Sequence, residues 1–453
     1  MTSSIFHSLL EPDIVQMIQG NDELGLREFC TALYPGVVAE ILEDMEPEEA
    51  WKVLKHAPAS TQGEIFPFFD ISFQVKLVEL VGDKPLSRII EEMSGDDRVD
   101  LLERMDPDHV ETVLRLVAQA ERSDIRKLLS YPEYSAGSIM TTEYASLPAD
   151  ISVKEALERL RVQAPSRETI YYIYITDEGR HLLGFLSLRK LILAKPTTRL
   201  EEIMQRDVIC VRVDDDQEHV ANEIARYDFI AIPVVDNQNR LVGIVTHDDA
   251  ADVMQEEATE DAHLLGAVQP LEDGYVATPF FELAWKRGVW LVILLFAASM
   301  TAKVLQYFDP GDGGTWMVLF LPMVLASGGN AGSQSATLVI RALALHETDG
   351  RVSWIAWREI RIGALLGAIL ALISFIVAYL MIGIQASMVV TLTVFLVVTV
   401  GTLSGAMLPL GLKRLGMDPA FMSNPLIAAL SDMLGVVIYY STASATVQLF
   451  TTA

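Results

Sequence analysis

NPLIAALSDMLGVVIYYSTASATVQLF, residues Asn424 to Phe450, is long enough to cross a bilayer as a helix, which takes about 20 apolar residues. It carries Asp432 two turns past its start. A carboxylate at that depth costs roughly 3 kcal/mol or more, so its presence points to an ion or proton path. Asn424–Pro425 reads as the helix start, and Pro425, Ala428, Ala429 and Asp432 fall on one face. The two alanines leave room beside the carboxylate for a partner helix or a hydrated ion. Just upstream, GMDPAFMSNP places Asp418 at the mouth of this helix, where an ordinary turn residue would also fit.

A second membrane-length run, PMVLASGGNAGSQSATLVIRALAL (Pro322–Leu345), is interrupted by Pro322, Gly328, Gly329, Asn330, Gly332 and Gln334. Asn330 and Gln334 share a face, and the glycines let another backbone come close. So polar a stretch is expected where a broken helix lines a cavity or is buried in protein. In all, five apolar segments are expected to span: Gly288–Phe308, Thr315–Leu345, Ile362–Ile384, Ser387–Leu412 and Asn424–Phe450. Lys286 and Arg287, then Arg341, Arg351, Arg358 and Arg361, then Lys413 and Arg414 all fall on one side of five spans, with Lys303 near the other. The positive-inside rule then puts residues 1–285 in the cytosol and the C-terminus outside, in a multi-pass protein of the cell (inner) membrane.

The charge of the chain divides sharply. Of 61 Asp+Glu and 34 Lys+Arg, residues 1–270 hold 51 and 25, leaving 10 and 9 for 271–453. The net charge of −27 therefore splits into −26 and −1. An acidic excess of this size argues against nucleic acid as a partner and toward cations. Only Cys30 and Cys210 are present, too few for a disulfide framework, which fits a reducing compartment. The first residues, MTSSIFHSLLEPD, lack a basic n-region, so no signal peptide is expected.

From about Pro12 to Leu129 apolar residues recur at helical spacing, and one phrase returns: ILEDMEPEEA (Ile41–Ala50), IIEEMSGDDR (Ile89–Arg98), LLERMDPDHV (Leu101–Val110). Pro47 and Pro107 suit first helical positions, and repeated helix pairs stack into a small superhelix. Asp96 and Asp100, at i and i+4, lie on one helix face, where two carboxylates can share a cation or simply meet solvent.

The period then changes. SIMTTEYASLPADISVKEALERL (Ser138–Leu160) is echoed by EIMQRDVICVRVDDDQEHVANEI (Glu202–Ile224), and each copy leads into a strand pair broken at DEGR or DNQNR. Two β–α–β–β–α units packed together are expected. THDDAADVMQEEATEDAHLLGAV (Thr246–Val268) follows as a helix with Asp249, Asp252, Glu256 and Glu260 in a stripe. Like charges at that spacing repel unless a cation intervenes.

The duplicated unit resembles a tandem CBS module, some of which bind adenine nucleotides, although no Gly-rich phosphate loop is present. With the helical repeats, the acidic helix, PMVLASGGNAGSQSATLVIRAL and DPAFMSNPLIAALSD, the whole chain resembles the MgtE family of magnesium channels. The fold so implied is a multi-domain membrane protein. It comprises an all-α superhelical N domain (1–136), an α/β tandem CBS domain (137–255), a linker or plug helix region (256–284) and a five-helix α transmembrane pore domain (285–453). The resemblance implies a homodimer in the lipid bilayer, transporting Mg²⁺ through one shared pore that closes when cytosolic Mg²⁺ binds acidic sites. Mg²⁺ is then both substrate and regulator, with ATP a candidate ligand of the CBS pair and no enzyme activity.

Carried over to this sequence, Asp432 corresponds to the pore carboxylate, with Asn424, Asn330 and Asp418 along the same path. Asp96 and Asp100 correspond to regulatory acids of the N domain, Asp216, Glu218 and Asp228 to those of the second CBS copy, and Asp249, Asp252, Glu257, Glu260 and Asp261 to those of the linker helix. Rival functions are transport of Co²⁺, Mn²⁺ or Ni²⁺, which oxygen ligands alone do not exclude, and a membrane-anchored nucleotide-sensing scaffold. An intramembrane aspartyl protease would need a second embedded Asp, which the five segments lack.

Overall fold

The structure, a computed structural model, describes residues 2–164, 168–271, 274–275, 278–307, 315–344, 348, 351–421 and 424–452. Two compact units divide the chain, Met1–Glu256 and Glu257–Ala453.

The first unit begins with ten helices: α1 (Thr2–Gly20), α2 (Glu23–Ala32), α3 (Pro35–Glu43), α4 (Pro47–Leu54), α5 (Ala59–Ile65), α6 (Ile71–Leu80), α7 (Asp83–Glu92), α8 (Gly95–Glu103), α9 (Pro107–Leu114) and α10 (Gln119–Leu128). Each repeated phrase falls on a junction between two of them. Glu46, Ser94 and Asp106 are extended, and Pro47, Gly95 and Pro107 open α4, α8 and α9. Proline is suited there because its missing N–H is one that no helix start can satisfy internally. Asp106 also accepts hydrogen bonds from the backbone N–H of Asp108 (3.0 Å) and His109 (3.3 Å). Helices of 7 to 10 residues past α1 are too short to stand alone, and their apolar stripes close into one core that includes Leu42, Val53, Ile65, Leu77, Leu86, Ile90 and Val113.

The sequence duplication becomes two three-stranded sheets of the same topology. β1 (Tyr144–Pro148) runs parallel to β2 (Thr169–Thr176), which is antiparallel to β3 (Leu182–Ser187), with α11 (Val153–Gln163) between the first two strands. α12 (Leu188–Leu193) and α13 (Leu200–Ile203) join this half to the next. There, β4 (Val211–Arg212), α14 (Gln217–Tyr227), β5 (Ala231–Val235) and β6 (Leu241–Thr246) repeat the pattern. The halves meet through their turns: Leu182 N–H donates to the Asn239 carbonyl (3.2 Å), and Leu241 N–H donates to the Arg180 carbonyl (2.9 Å). Arg180 and Asn239 occupy equivalent left-handed positions, at φ of 66° and 59°. The contact is thus an internal two-fold written in backbone. Val99 of α8 and Leu128 of α10 share a core with Val211, Val220 and Val234, so the last helical repeat is built onto the second sheet. Cys30 and Cys210 are both free.

α15 (His247–Leu265) follows β6 directly and crosses the division between the units. Part of the 256–284 segment, residues 272–273 and 276–277, lies outside the described residues. The second unit then holds α16 (Phe280–Tyr307), α17 (Thr315–Ala344), α18 (Val352–Met381), α19 (Ile384–Arg414) and α20 (Asn424–Thr452). Among the described residues, α16, α18, α19 and α20 are long and apolar enough to cross a membrane. α17, at 30 residues, has the length but not the apolarity, because of its GGNAGSQS run.

The expectation of a broken helix is corrected here: α17 is continuous, with Pro322 inside it. Its glycines are a packing surface rather than a break. A Cβ on Gly401 of α19 would come within 2.7 Å of the Gly328 carbonyl oxygen, and one on Gly329 would meet Ala428 of α20 at 3.4 Å. Polar contacts complete the bundle: Tyr439 OH donates to the Met317 carbonyl (3.1 Å), and the Thr393 and Thr442 hydroxyls lie 2.6 Å apart.

Candidate functional site

Candidate residues gather in three places. In the second unit, Asp432 lies half-buried on the side of α20 that faces α17. The position a Cβ would take on Gly329 is 3.7 Å from Asp432 Oδ1, so it is the missing side chain that admits the carboxylate. Ser431 beside it is 3% exposed, and its hydroxyl has no hydrogen-bond partner. Two turns nearer the start of α20, roughly 12 Å by helical rise, Asn424 is bound to α17. Ser333 Oγ donates to its carbonyl (3.1 Å) and Thr337 Oγ1 to its Oδ1 (3.1 Å). Asn330 is exposed on α17. Asn424 and Asp432 are therefore successive positions along the α17–α20 pair, and Asn330, next to Gly329, is level with the stretch of α20 between them.

The second place is the base of this bundle. Asp418 Oδ1 accepts from the Ala420 N–H (2.8 Å), a turn fixed by its own side chain. Burial, followed by the nearby Asp418 and Glu257, raises the Asp261 carboxyl above its ordinary range, with Arg341 opposing. Leu264 packs against Ala336 and Ile340 of α17 and Ala420 and Ile427 near the start of α20. The structure thus brings Glu257, Glu260 and Asp261 of α15 to Asp418, at the foot of the two helices that carry Asn424 and Asp432.

The third place is a cavity of about 670 Å³ in the first unit, whose lining includes Asp96, Asp97, Glu143, Glu168, Asp248, Asp249 and Asp252. Asp249 shares a hydrogen bond with Asp96, and burial, then the charge of Asp96, pushes its carboxyl up to about 9. Asp97 is raised to about 6 by burial and by Asp96, although Ser94 Oγ donates to it (2.6 Å). Asp96 Oδ1 is buried without a partner. Two carboxyl groups in contact, one oxygen orphaned, form an arrangement that only a proton or a cation relieves. A hard divalent ion fits this donor set, and Mg²⁺, which keeps most of its water, needs no more than one or two carboxylates. No cage of three or more His, Cys, Asp or Glu side chains is gathered among the described residues.

Three placements differ from simple spacing. Asp96 turns to Asp249 across the domain junction, and burial, then the charge of Asp96, also pushes the Asp100 carboxyl of α8 up to about 7. Asp216 and Asp228 stand at opposite ends of α14 and serve it structurally: Asp216 accepts from the Glu218 N–H (2.9 Å), and Asp228 ends the helix at φ 53°. Asp97, Glu143, Glu168 and Asp248 join the cavity although no pattern in the sequence marks them. Least foreseeable is Arg98, buried among the acids. It donates to the Met93 carbonyl (2.6 Å), to Glu121 (3.0 Å) and to Glu143 (3.1 Å), so a fixed cation already offsets part of the negative charge.

An acid-lined unit joined to a bundle of membrane-length helices that carries a half-buried carboxylate points to a cation transporter. The comparisons make the class specific. The model of the divalent cation transporter MgtE matches residues 321–442, that of the MgtE intracellular N domain 33–134, and that of the CBS domain 136–196 and 200–256. The magnesium transporter MgtE of Thermus thermophilus is 39% identical over 96% of this chain and 98% of its own length. That of Bacillus subtilis is 33% identical over 95% and 96%. The chain belongs to the MgtE family. A crystal structure of the soluble part of a magnesium transporter matches 56% of the chain at 31% identity and a TM-score of 0.53. The cytosolic domain of the Mg²⁺ channel MgtE in complex with ATP matches 53% at 38% identity and a TM-score of 0.51.

Proposed function

We propose that this protein carries Mg²⁺ across the cell membrane through a pore formed along α17 and α20 of a homodimer, closed when cytosolic Mg²⁺ binds the acidic residues of the first unit and of α15. Mg²⁺ transport follows from membership of the family, whose relatives are named as magnesium transporters and not as enzymes. The observation that carries the pore is the Asp432 carboxylate set against the side-chain-free surface of Gly329. One carboxylate per chain is a weak site for a hydrated divalent ion, and a two-fold axis beside α20 supplies two. Asn424, joined to α17 through Ser333 and Thr337, stands on the approach to Asp432. Asn330, beside Gly329, lies along that path, and Asp418 stands at its foot.

Closure follows from charge. Without divalent ions, Asp96, Asp249 and their neighbours repel, which favours separation of the helical repeats from the CBS pair; bridged by Mg²⁺, they hold the compact form. We assign the same regulatory role to Asp100, Asp216, Glu218, Asp228 and Asp252, and Glu257, Glu260 and Asp261 act where α15 meets Asp418. Packing of Leu264 at the foot of α17 and α20 supports a plug role for α15. The N-terminal unit is cytosolic and the C-terminus outside. ATP at the CBS pair is a further part of the proposal, supported by the similar cytosolic domain solved with that ligand. Ion flux into proteoliposomes tests the reading: Mg²⁺ should enter in preference to Co²⁺, Mn²⁺ and Ni²⁺, and internal Mg²⁺ should suppress it. Flux indifferent to Asp432→Ala removes the pore assignment.

A further inference from the structure

The polar run of α17 is tied on two sides. Ser333 and Thr337 bind Asn424 of α20, whereas Ser335, between them in sequence, donates through Oγ to Glu359 Oε2 of α18 at 2.6 Å. At about 100° of turn per residue, Ser335 falls on the side of the helix opposite to the other two. Ser335 is 4% exposed and Glu359 is half-buried. Glu359 lies two turns into α18, just past the exposed Trp354 and Trp357. Its neighbour Arg358 is turned to the Trp354 ring instead, 5.1 Å from the ring centre. A carboxylate set among membrane helices is costly and is by default a functional group. The proposed ion path does not touch this one.

What such a bond can do follows from the surface beside it. The Gly328 and Gly332 carbonyls of α17 lie against Gly401 and Gly405 of α19. Facing glycines let two main chains approach, but they offer no side chains to fix how one helix is turned about its own axis. A directional hydrogen bond does fix it. The rotation matters on the other face, where Gly329 leaves room for Asp432 and where Ser333 and Thr337 reach Asn424. Gly329 is six residues from Ser335, roughly 9 Å along one continuous helix, so a turn of α17 moves both.

We infer that Glu359 is a positioning residue for the transported ion: through Ser335 it holds α17 turned so that Gly329 faces Asp432 and the two hydroxyls opposite meet Asn424. The inference rests on the proposed path along α17 and α20. What α17 uses is an acceptor oxygen, so a glutamine amide can stand in for the carboxylate.

Mg²⁺ flux into proteoliposomes of the full-length protein, followed against external Mg²⁺ with internal Mg²⁺ kept low, tests it. Ser335→Ala and Glu359→Ala should each raise the Mg²⁺ concentration that gives half-maximal flux about fivefold, as for one lost hydrogen bond, with maximal flux within about twofold of wild type. The double substitution should do no more than either alone, and Glu359→Gln should keep the wild-type value. Poor folding acts differently: it leaves fewer working molecules, which lowers maximal flux and does not move the half-maximal concentration. A half-maximal concentration unmoved in Ser335→Ala, additive effects in the double variant, or Glu359→Gln as impaired as Glu359→Ala overturns the inference. Asp432→Ala in the same vesicles reports on the path alone. Full flux there removes the path and this inference with it, whereas lost flux there beside wild-type saturation in Ser335→Ala overturns only the role of Glu359.

Discussion

The acidic cavity of the first unit and the α17–α20 seam of the second both display carboxylates, but in opposite ways. The cavity crowds its acids until they push one another's proton affinity up, with Asp96 and Asp249 in contact and Arg98 buried beside them. The seam isolates a single carboxylate, Asp432, and clears the facing helix of side chains at Gly329. On the proposed reading crowding suits a sensor, because a filled site is much more stable than an empty one. Isolation makes a path, because an ion held by few ligands can leave.

The largest effect expected from breaking this contrast is at the seam. Asp432→Ala should lower Mg²⁺ flux in proteoliposomes about a hundredfold, the equivalent of ~3 kcal/mol of lost ion stabilisation. Flux within twofold of wild type would mean that the carboxylate is only structural. In the cavity, Arg98→Met leaves Glu121 and Glu143 without their shared cation and should destabilise the first unit by ~2 kcal/mol in urea unfolding without Mg²⁺. Half-exposure of Glu121 keeps the figure below that of a fully buried pair. Unchanged unfolding midpoints would show that Arg98 is no substitute for a bound ion.

Smaller, but more specific, is the effect of Asp96→Asn with Asp249→Asn. Maximal flux should persist, while the internal Mg²⁺ concentration that halves it rises about fivefold or more. An unaltered inhibition curve would move the sensor away from this pair. The smallest effect concerns pH. Asp249 and Asp97 hold their protons more tightly folded than unfolded, so ionising them opposes folding. That cost is full above the raised values near 9 and 6, and disappears as the pH falls toward about 4, the ordinary carboxylate range. Without divalent ions, thermal unfolding of the first unit should therefore shift to higher temperature as pH drops from 9 to 5. Saturating Mg²⁺ should flatten the trend, and a rise in stability with pH instead would show that these groups are not crowded.

Periodicity carried most of the architecture. The repeated acid–Pro and Ser–Gly junctions, the duplicated strand pairs and the acid within an apolar run each state a local preference that packing then obeys. The site was legible only where one segment contains it, as with Asp432 and Asn424. Asp249 and Asp96 are 153 positions apart, so spacing within α8 could point to Asp100 but not to Asp249. Glu143 and Glu168 belong to the first CBS half, and nothing local says that they face α8. The apparent break in α17 was misread for a related reason: glycines and a proline look like interruptions until the facing backbone of α19 is known.

That close approach also limits how the bundle moves. Where Gly401 meets Gly328 the two main chains are already at contact, so α17 and α19 cannot be pressed together further there. They form a single beam. Against α20 the same helix meets Ala428, Ser431 and Ile427, groups that can turn or withdraw. On the proposed path, a widening for a hydrated ion would be a displacement of α20 against a fixed wall, and a crosslink between α17 and α19 should leave Mg²⁺ flux unchanged where one between α17 and α20 should abolish it.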